Sequence, residues 1–61
     1  MSSVSLEVEI ITVTDAAYRV EYEGERAWLP RSLLADDPEP EIGDTVTLEI
    51  PEWLAVDRGL V

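Results

Sequence analysis

The side chains able to do chemistry in this chain are nearly all carboxylates. Fourteen aspartates and glutamates stand against four arginines in 61 residues, with no lysine, histidine or cysteine. Without histidine, the usual acid/base group at neutral pH and the commonest metal ligand are missing. Without cysteine there is neither a thiolate nucleophile nor a disulfide to reinforce a small core. Paired carboxylates could still hydrolyse a glycosidic bond, but two must then sit in a cleft with separated pKa values, and a short chain seldom encloses one. The acidic run Asp36, Asp37, Glu39, Glu41 and Asp44 offers oxygen ligands for a hard cation. It lacks the Asp-x-Asp-x-Asp-Gly spacing of a calcium loop, and Pro38 and Pro40 stiffen it against wrapping an ion. A solvated loop is expected there. The chain reads as non-enzymatic, with no catalytic residue, no metal and no cofactor.

Binding chemistry is better represented. The formal charge of −10 opposes direct contact with nucleic acid or an anionic membrane, because both need phosphate neutralised by lysine or arginine. Only Arg19, Arg26 and Arg31 could gather into a local positive spot, which aromatic stacking could extend towards a single strand. The same charge suits a protein partner with a basic surface and would speed encounter with it. Solubility or adaptation to high salt accounts for the charge equally well. Glu7 and Glu9 fall on one face of one strand, Glu21 and Glu23 on one face of the next. Carboxylates two apart on a strand are about 6.5–7 Å from each other, near the phosphate spacing of a nucleic-acid strand. Any acidic sheet face gives that spacing. Trp28, with Arg19 and Arg31, belongs to the residue types that recur at binding hot spots, and it reads equally as core or as anchor. Trp53 reads as core, where a thin domain needs a large apolar side chain.

A single small domain must position these groups, and at this size only about 60 % of the unfolded surface is buried. Val4, Leu6, Val8 and Ile10 alternate with polar residues, which predicts a strand over 4–13. At Ile10–Ile11 the apolar phase slips by one, and a bulge or bend is expected. Residues 17–22 and 25–29 predict a hairpin closed by Glu23-Gly24. That loop sets Val20 opposite Ala27, Tyr18 opposite Leu29, Glu21 opposite Arg26 and Arg19 opposite Trp28. The last pair invites an arginine–indole contact. Pro30 ends the ladder and opens a short helical turn over 30–34. The acidic loop spans 35–44, a strand 45–50 and a helix 51–58. Trp53, Leu54 and Val56 are expected on that helix's inner side. Gly59 is expected to stop the helix in a left-handed conformation, folding Leu60 and Val61 back onto it. The fold class is mostly β: a small curved antiparallel sheet or partly open barrel, SH3-like or OB-like, with two short helical corners, the second a C-terminal helix.

The segments Ala27-Trp28-Leu29-Pro30-Arg31-Ser32, Gly43-Asp44, Ile50-Pro51-Glu52-Trp53-Leu54-Ala55 and Gly59-Leu60 carry a resemblance. Over residues 6–61 the chain resembles a group of small acidic phage- and prophage-encoded proteins of unknown function. The resemblance implies a compact accessory protein from a mobile element and brings no catalytic residue with it.

Charge, size and resemblance together suggest an accessory protein that binds another protein through an acidic surface, as a nucleic-acid-mimicking inhibitor of a host enzyme or defence system of the anti-CRISPR or anti-restriction type. The interaction residues expected are Glu7, Glu9, Arg19, Glu21, Glu23, Trp28, Arg31, Asp36, Asp37, Glu39 and Glu41. The alternative is a small barrel module of phage DNA replication or recombination that binds single-stranded DNA or a replisome partner. A homodimer formed by pairing open sheet edges is a third arrangement. No apolar run reaches the roughly 20 residues of a membrane span, and Met1-Ser2-Ser3 lacks the features of a signal peptide. A cytoplasmic location is expected, in the host cytosol if the chain is phage-encoded.

Overall fold

The computed structural model describes residues 2–61. Four antiparallel strands form one open sheet: β1 (Ser3–Val13), β2 (Ala17–Tyr22), β3 (Glu25–Pro30) and β4 (Thr45–Pro51), in the order β3-β2-β1-β4. A 3₁₀ turn, Arg31–Leu33, follows β3, and a helix, α1 (Glu52–Asp57), follows β4. The chain is thus mostly β. Of the two forms expected, the open sheet is the one adopted.

The long strand β1 makes the order workable. Its first half pairs with β4, from Ser3 opposite Pro51 to Glu9 opposite Thr45. Its second half pairs with β2, from Glu9 opposite Glu21 to Val13 opposite Tyr18. Between Ile10 and Thr12 the register shifts, so Ile11 and Thr12 together oppose the single residue Arg19. This bulge is where the apolar phase slips in the sequence, and it adds local bend and twist. Ile10 is pinned there by backbone bonds on the β4 side: its N–H donates to Asp44 O and its C=O accepts from Gly43, each at 2.8 Å.

The hairpin forms in the expected register, with Tyr22 opposite Glu25, Val20 opposite Ala27 and Tyr18 opposite Leu29. Glu23 (φ 48°) and Gly24 (φ 85°) both take positive φ, the type I′ geometry whose twist matches that of the strands. β3 runs one residue further than expected, to Pro30, and the helical turn is correspondingly shorter.

The core lies on one face of the sheet. Leu6, Val8, Ile10, Tyr18, Val20, Leu29, Leu48 and Ile50 are buried, and Leu54, Ala55 and Leu60 cover them. The helix departs from expectation on one point. Trp53 is 57 % exposed and Val56 60 % exposed, so neither belongs to the core. Residues 53 and 56 share a face three apart, while Leu54 and Ala55 lie on the opposite side. The choice between these faces is made beyond the helix. Gly59 (φ 73°) reverses the chain, Leu60 N–H donates to Ala55 O at 2.8 Å, and Gly59 N–H donates to Val56 O at 3.1 Å. This pair of bonds is a Schellman motif, and it seats Leu60 against the face bearing Leu54 and Ala55. Val61, expected to pack with Leu60, stays exposed.

Two links hold the covering layer over the open sheet. Arg58, at the end of α1, donates from Nε to Trp28 O on β3 at 3.0 Å. Ala35 N–H donates to Glu49 O on β4 at 3.1 Å. Both links consume edge carbonyls, and Pro30 and Pro51 remove edge donors.

The division of α1 is measurable by urea denaturation. Leu54→Ala is expected to cost about 2–5 kcal/mol, as for other buried leucines. Trp53→Ala is expected to cost under about 1 kcal/mol, as for a surface site, despite removing the larger side chain.

Candidate functional site

The face of the sheet opposite the core collects several of the residues singled out from the sequence. Glu9 stands directly opposite Glu21, and Glu21 opposite Arg26. Glu7 lies two residues from Glu9 on β1 and opposite Thr47; Ser5 is opposite Glu49. Arg19 and Trp28 form the next pair across the hairpin, with Trp28 44 % exposed. The two readings of Trp28 therefore resolve towards the surface. Opposed like charges such as Glu9 and Glu21 destabilise a sheet, and Arg26 relieves only part of this by donating from Nε to Glu21 Oε1 at 3.0 Å. Glu23 sits apart at the hairpin tip, exposed.

The acidic loop is more ordered than its composition suggests. Asp37 is held from three sides: the Tyr18 hydroxyl donates to Oδ1 at 2.5 Å, Glu39 N–H donates to the same oxygen at 2.9 Å, and Arg31 Nε donates to Oδ2 at 2.9 Å. The Arg31 guanidinium lies 4.9 Å from the Tyr18 ring centroid and also donates from Nη1 to Thr14 O at 3.2 Å. The cation–π contact thus forms between Arg31 and Tyr18, in place of the expected one between Arg19 and Trp28. Glu39 takes φ 51° beside this cluster, with its carboxylate 4.0 Å from Arg31 Nη2. Arg31 and Asp37 are consequently committed to each other. They fasten the loop to the hairpin and are not free binding groups, whereas Asp36, Glu39 and Glu41 keep exposed side chains. Further on, Glu41 N–H donates to Asp44 Oδ2 and Asp44 N–H returns to Glu41 O, which closes a small turn. Among the described residues no three carboxylates gather closely enough to hold a metal ion.

The sequence reading missed a third surface. A groove of about 480 Å³ opens beside the end of β4, walled by Leu33, Ala35, Ile50, Pro51 and Trp53. Glu49 and Glu52 stand at its rim with Ser2 and Ser3. Ser3 Oγ donates to Glu49 Oε2 at 2.8 Å, which orients that carboxylate. The signal for this groove was the pair of proline corners, each of which ends a strand and turns the chain away from the sheet.

The Tyr18–Asp37–Arg31 cluster gives stability a defined pH dependence. The Tyr18 hydroxyl, then the Glu39 amide and Arg31, hold the Asp37 carboxyl below the usual carboxylate range. Burial, then the bond to Asp37, pushes the Tyr18 hydroxyl above its ordinary value. A depressed carboxyl stabilises the fold fully above about pH 4, and that contribution fades as pH falls through the lower folded value. A raised phenol stabilises fully below about pH 10, and that contribution fades as pH rises through the higher folded value. With no histidine, lysine or cysteine between these limits, stability should be nearly flat from about pH 5 to 9. Urea midpoints measured across pH 2–12 should show both limbs. Tyr18→Phe should remove Tyr18's share of the alkaline limb, leaving that of Tyr22, which the charge of Glu23 also raises, and should shrink the acid limb; Asp37→Asn should remove Asp37's share of the acid limb.

Comparisons with protein-family models, with curated proteins and with solved structures find nothing that matches this chain.

Proposed function

We propose that this is a non-enzymatic accessory protein that binds a basic surface on another protein through the acidic outer face of its sheet. The observation that carries the reading is the Glu7–Glu9–Glu21 group, in which two carboxylates face each other across neighbouring strands on an exposed face. That arrangement costs stability, whereas a cationic partner would turn the repulsion into attraction. The residues most involved are Glu7, Glu9, Glu21 and Glu49, with Trp28 and Arg19 at one border. The size, the charge of −10 and the resemblance of the Trp28 and Trp53 segments to phage-encoded proteins suggest a target of a particular kind. It is a host nucleic-acid enzyme or defence nuclease whose basic DNA-binding site these carboxylates occupy in place of phosphates. Such a protein would act in the host cytosol.

A second reading rests on one specific observation, the exposed Trp28 beside Arg19. A base could stack on that indole, with the arginine near its phosphate, as in modules that bind single strands. The surrounding carboxylates oppose it.

Binding to a basic nuclease, measured by titration calorimetry over a range of salt, separates the two. The first reading expects affinity that falls as salt rises and that double-stranded DNA competes away. Glu7→Gln, Glu9→Gln and Glu21→Gln together should lower it at least about tenfold at low salt. Direct binding of single-stranded DNA at physiological salt, lost in Trp28→Ala, would overturn it in favour of the second.

A further inference from the structure

The groove beside β4 borders the acidic sheet face at Glu49, but its chemistry is different. Its walls are apolar, its rim carries Glu49 and Glu52, and among the described residues that line it none is basic. Its volume of about 480 Å³ is large enough to seat a side chain, and it lies open to solvent along one side. Trp53 forms one wall and is 57 % exposed, although a buried place in the core would have served stability better. Indole walls with a polar rim are the common make-up of peptide-binding hot spots.

We propose that this groove binds an extended, cationic peptide segment of a partner protein, with one apolar side chain against Trp53, Pro51 and Leu33. A neighbouring arginine or lysine of the peptide would pair with Glu52 and Glu49. Charge complementarity selects this occupant. Two carboxylates at an apolar mouth repel anions, and a second copy of this chain would bring another formal −10 to the contact. The proposal rests on the chain being a protein-binding module, but it does not require the sheet face to be the contact.

The β4 edge supports a peptide in extended form. Val46, Leu48 and Ile50 direct their backbone groups to β1, so Thr45, Thr47 and Glu49 direct theirs away from it. Glu49 O is itself taken by Ala35 N–H, so the backbone groups left to a peptide on this edge lie to either side of that bond. The groove begins where Ala35 leaves off.

The test uses the whole protein with Trp28→Phe, so that Trp53 is the only indole. Three capped hexapeptides serve as probes: one with a central leucine flanked by arginines, the same with glycine for leucine, and the same with glutamates for arginines. The expected result is a saturable blue shift of Trp53 emission with the leucine–arginine peptide. Loss of the leucine or reversal of the charge should weaken binding at least about tenfold. Glu52→Gln should weaken it about threefold or more and reduce its salt dependence. Glu7→Gln with Glu9→Gln should leave this shift unchanged, although it weakens binding to the basic nuclease. No saturable shift, or an equal shift with the acidic peptide, would overturn the proposal and leave the sheet-face reading standing. Equal loss in the Glu7/Glu9 variant would place the peptide on the sheet instead. Dimerisation that rises with concentration and is abolished by Trp53→Ala would assign the groove to a second copy.

Discussion

The bulge at Ile11 is the constraint on which the rest of this structure depends. One eleven-residue strand has two partners, β4 along its first half and β2 along its second, and its apolar phase slips at Ile10–Ile11, which a regular strand would turn to the other face. By placing two residues opposite Arg19, the bulge restores the inward phase of β2 against β1 and bends the sheet around its core. Ile10, at the bend, is fully buried and is held from the β4 side by Gly43 and Asp44. The acidic loop must therefore return to that point before β4 can begin. Its anchoring through Asp37 to Tyr18 and Arg31 fixes the other end of that return. Bulge, loop and latch together form one mechanical unit.

What could be read from the residues alone was whatever local chemistry decides. Alternation placed β1, and a positive-φ loop set the β2–β3 register down to the Glu21–Arg26 and Arg19–Trp28 pairs. Gly59 announced the end of the helix. What could not be read depended on contacts between distant segments. On a six-residue helix, the stripes through 53/56 and 54/55 are equally apolar in sequence, and only the return of Leu60 onto Ala55 chooses between them. Asp37 looked like any other residue of an acidic loop, because its partners are nineteen and six positions away. The groove was hidden for the same reason: its walls come from the 3₁₀ turn, β4 and α1.

Electrostatics and stability pull in opposite directions here. The latch places one carboxylate where a phenol, an amide and a guanidinium all favour its charge, so this half-buried cluster adds to stability. The outer sheet face does the reverse: Glu9 and Glu21 oppose each other with one ion pair, from Arg26 to Glu21, to offset the repulsion. A chain selected for solubility alone could spread its charges with both signs interspersed and avoid that opposition. The uneven placement, four arginines all in or beside β2, β3 and the helix end, leaves β1 and β4 entirely without positive charge.

The two tryptophans bear on the same question from the side of packing. A domain this small has a core of Leu, Ile, Val and Ala with one tyrosine, and each large apolar side chain matters to its stability. Yet both indoles lie outside it, Trp28 near the end of β3 and Trp53 in α1 just after β4, each two residues from a proline that turns the chain off the sheet. Nothing in the backbone forces this. A leucine at 53 would expose less apolar surface, and a threonine at 28 would suit an edge strand equally well. Exposed indoles add association risk to a protein whose edges are otherwise blunted by proline, by Arg58 and by Ala35. A fold that protects its edges yet leaves its two largest apolar side chains in solvent is what the proposed contacts of Trp28 and Trp53 would require.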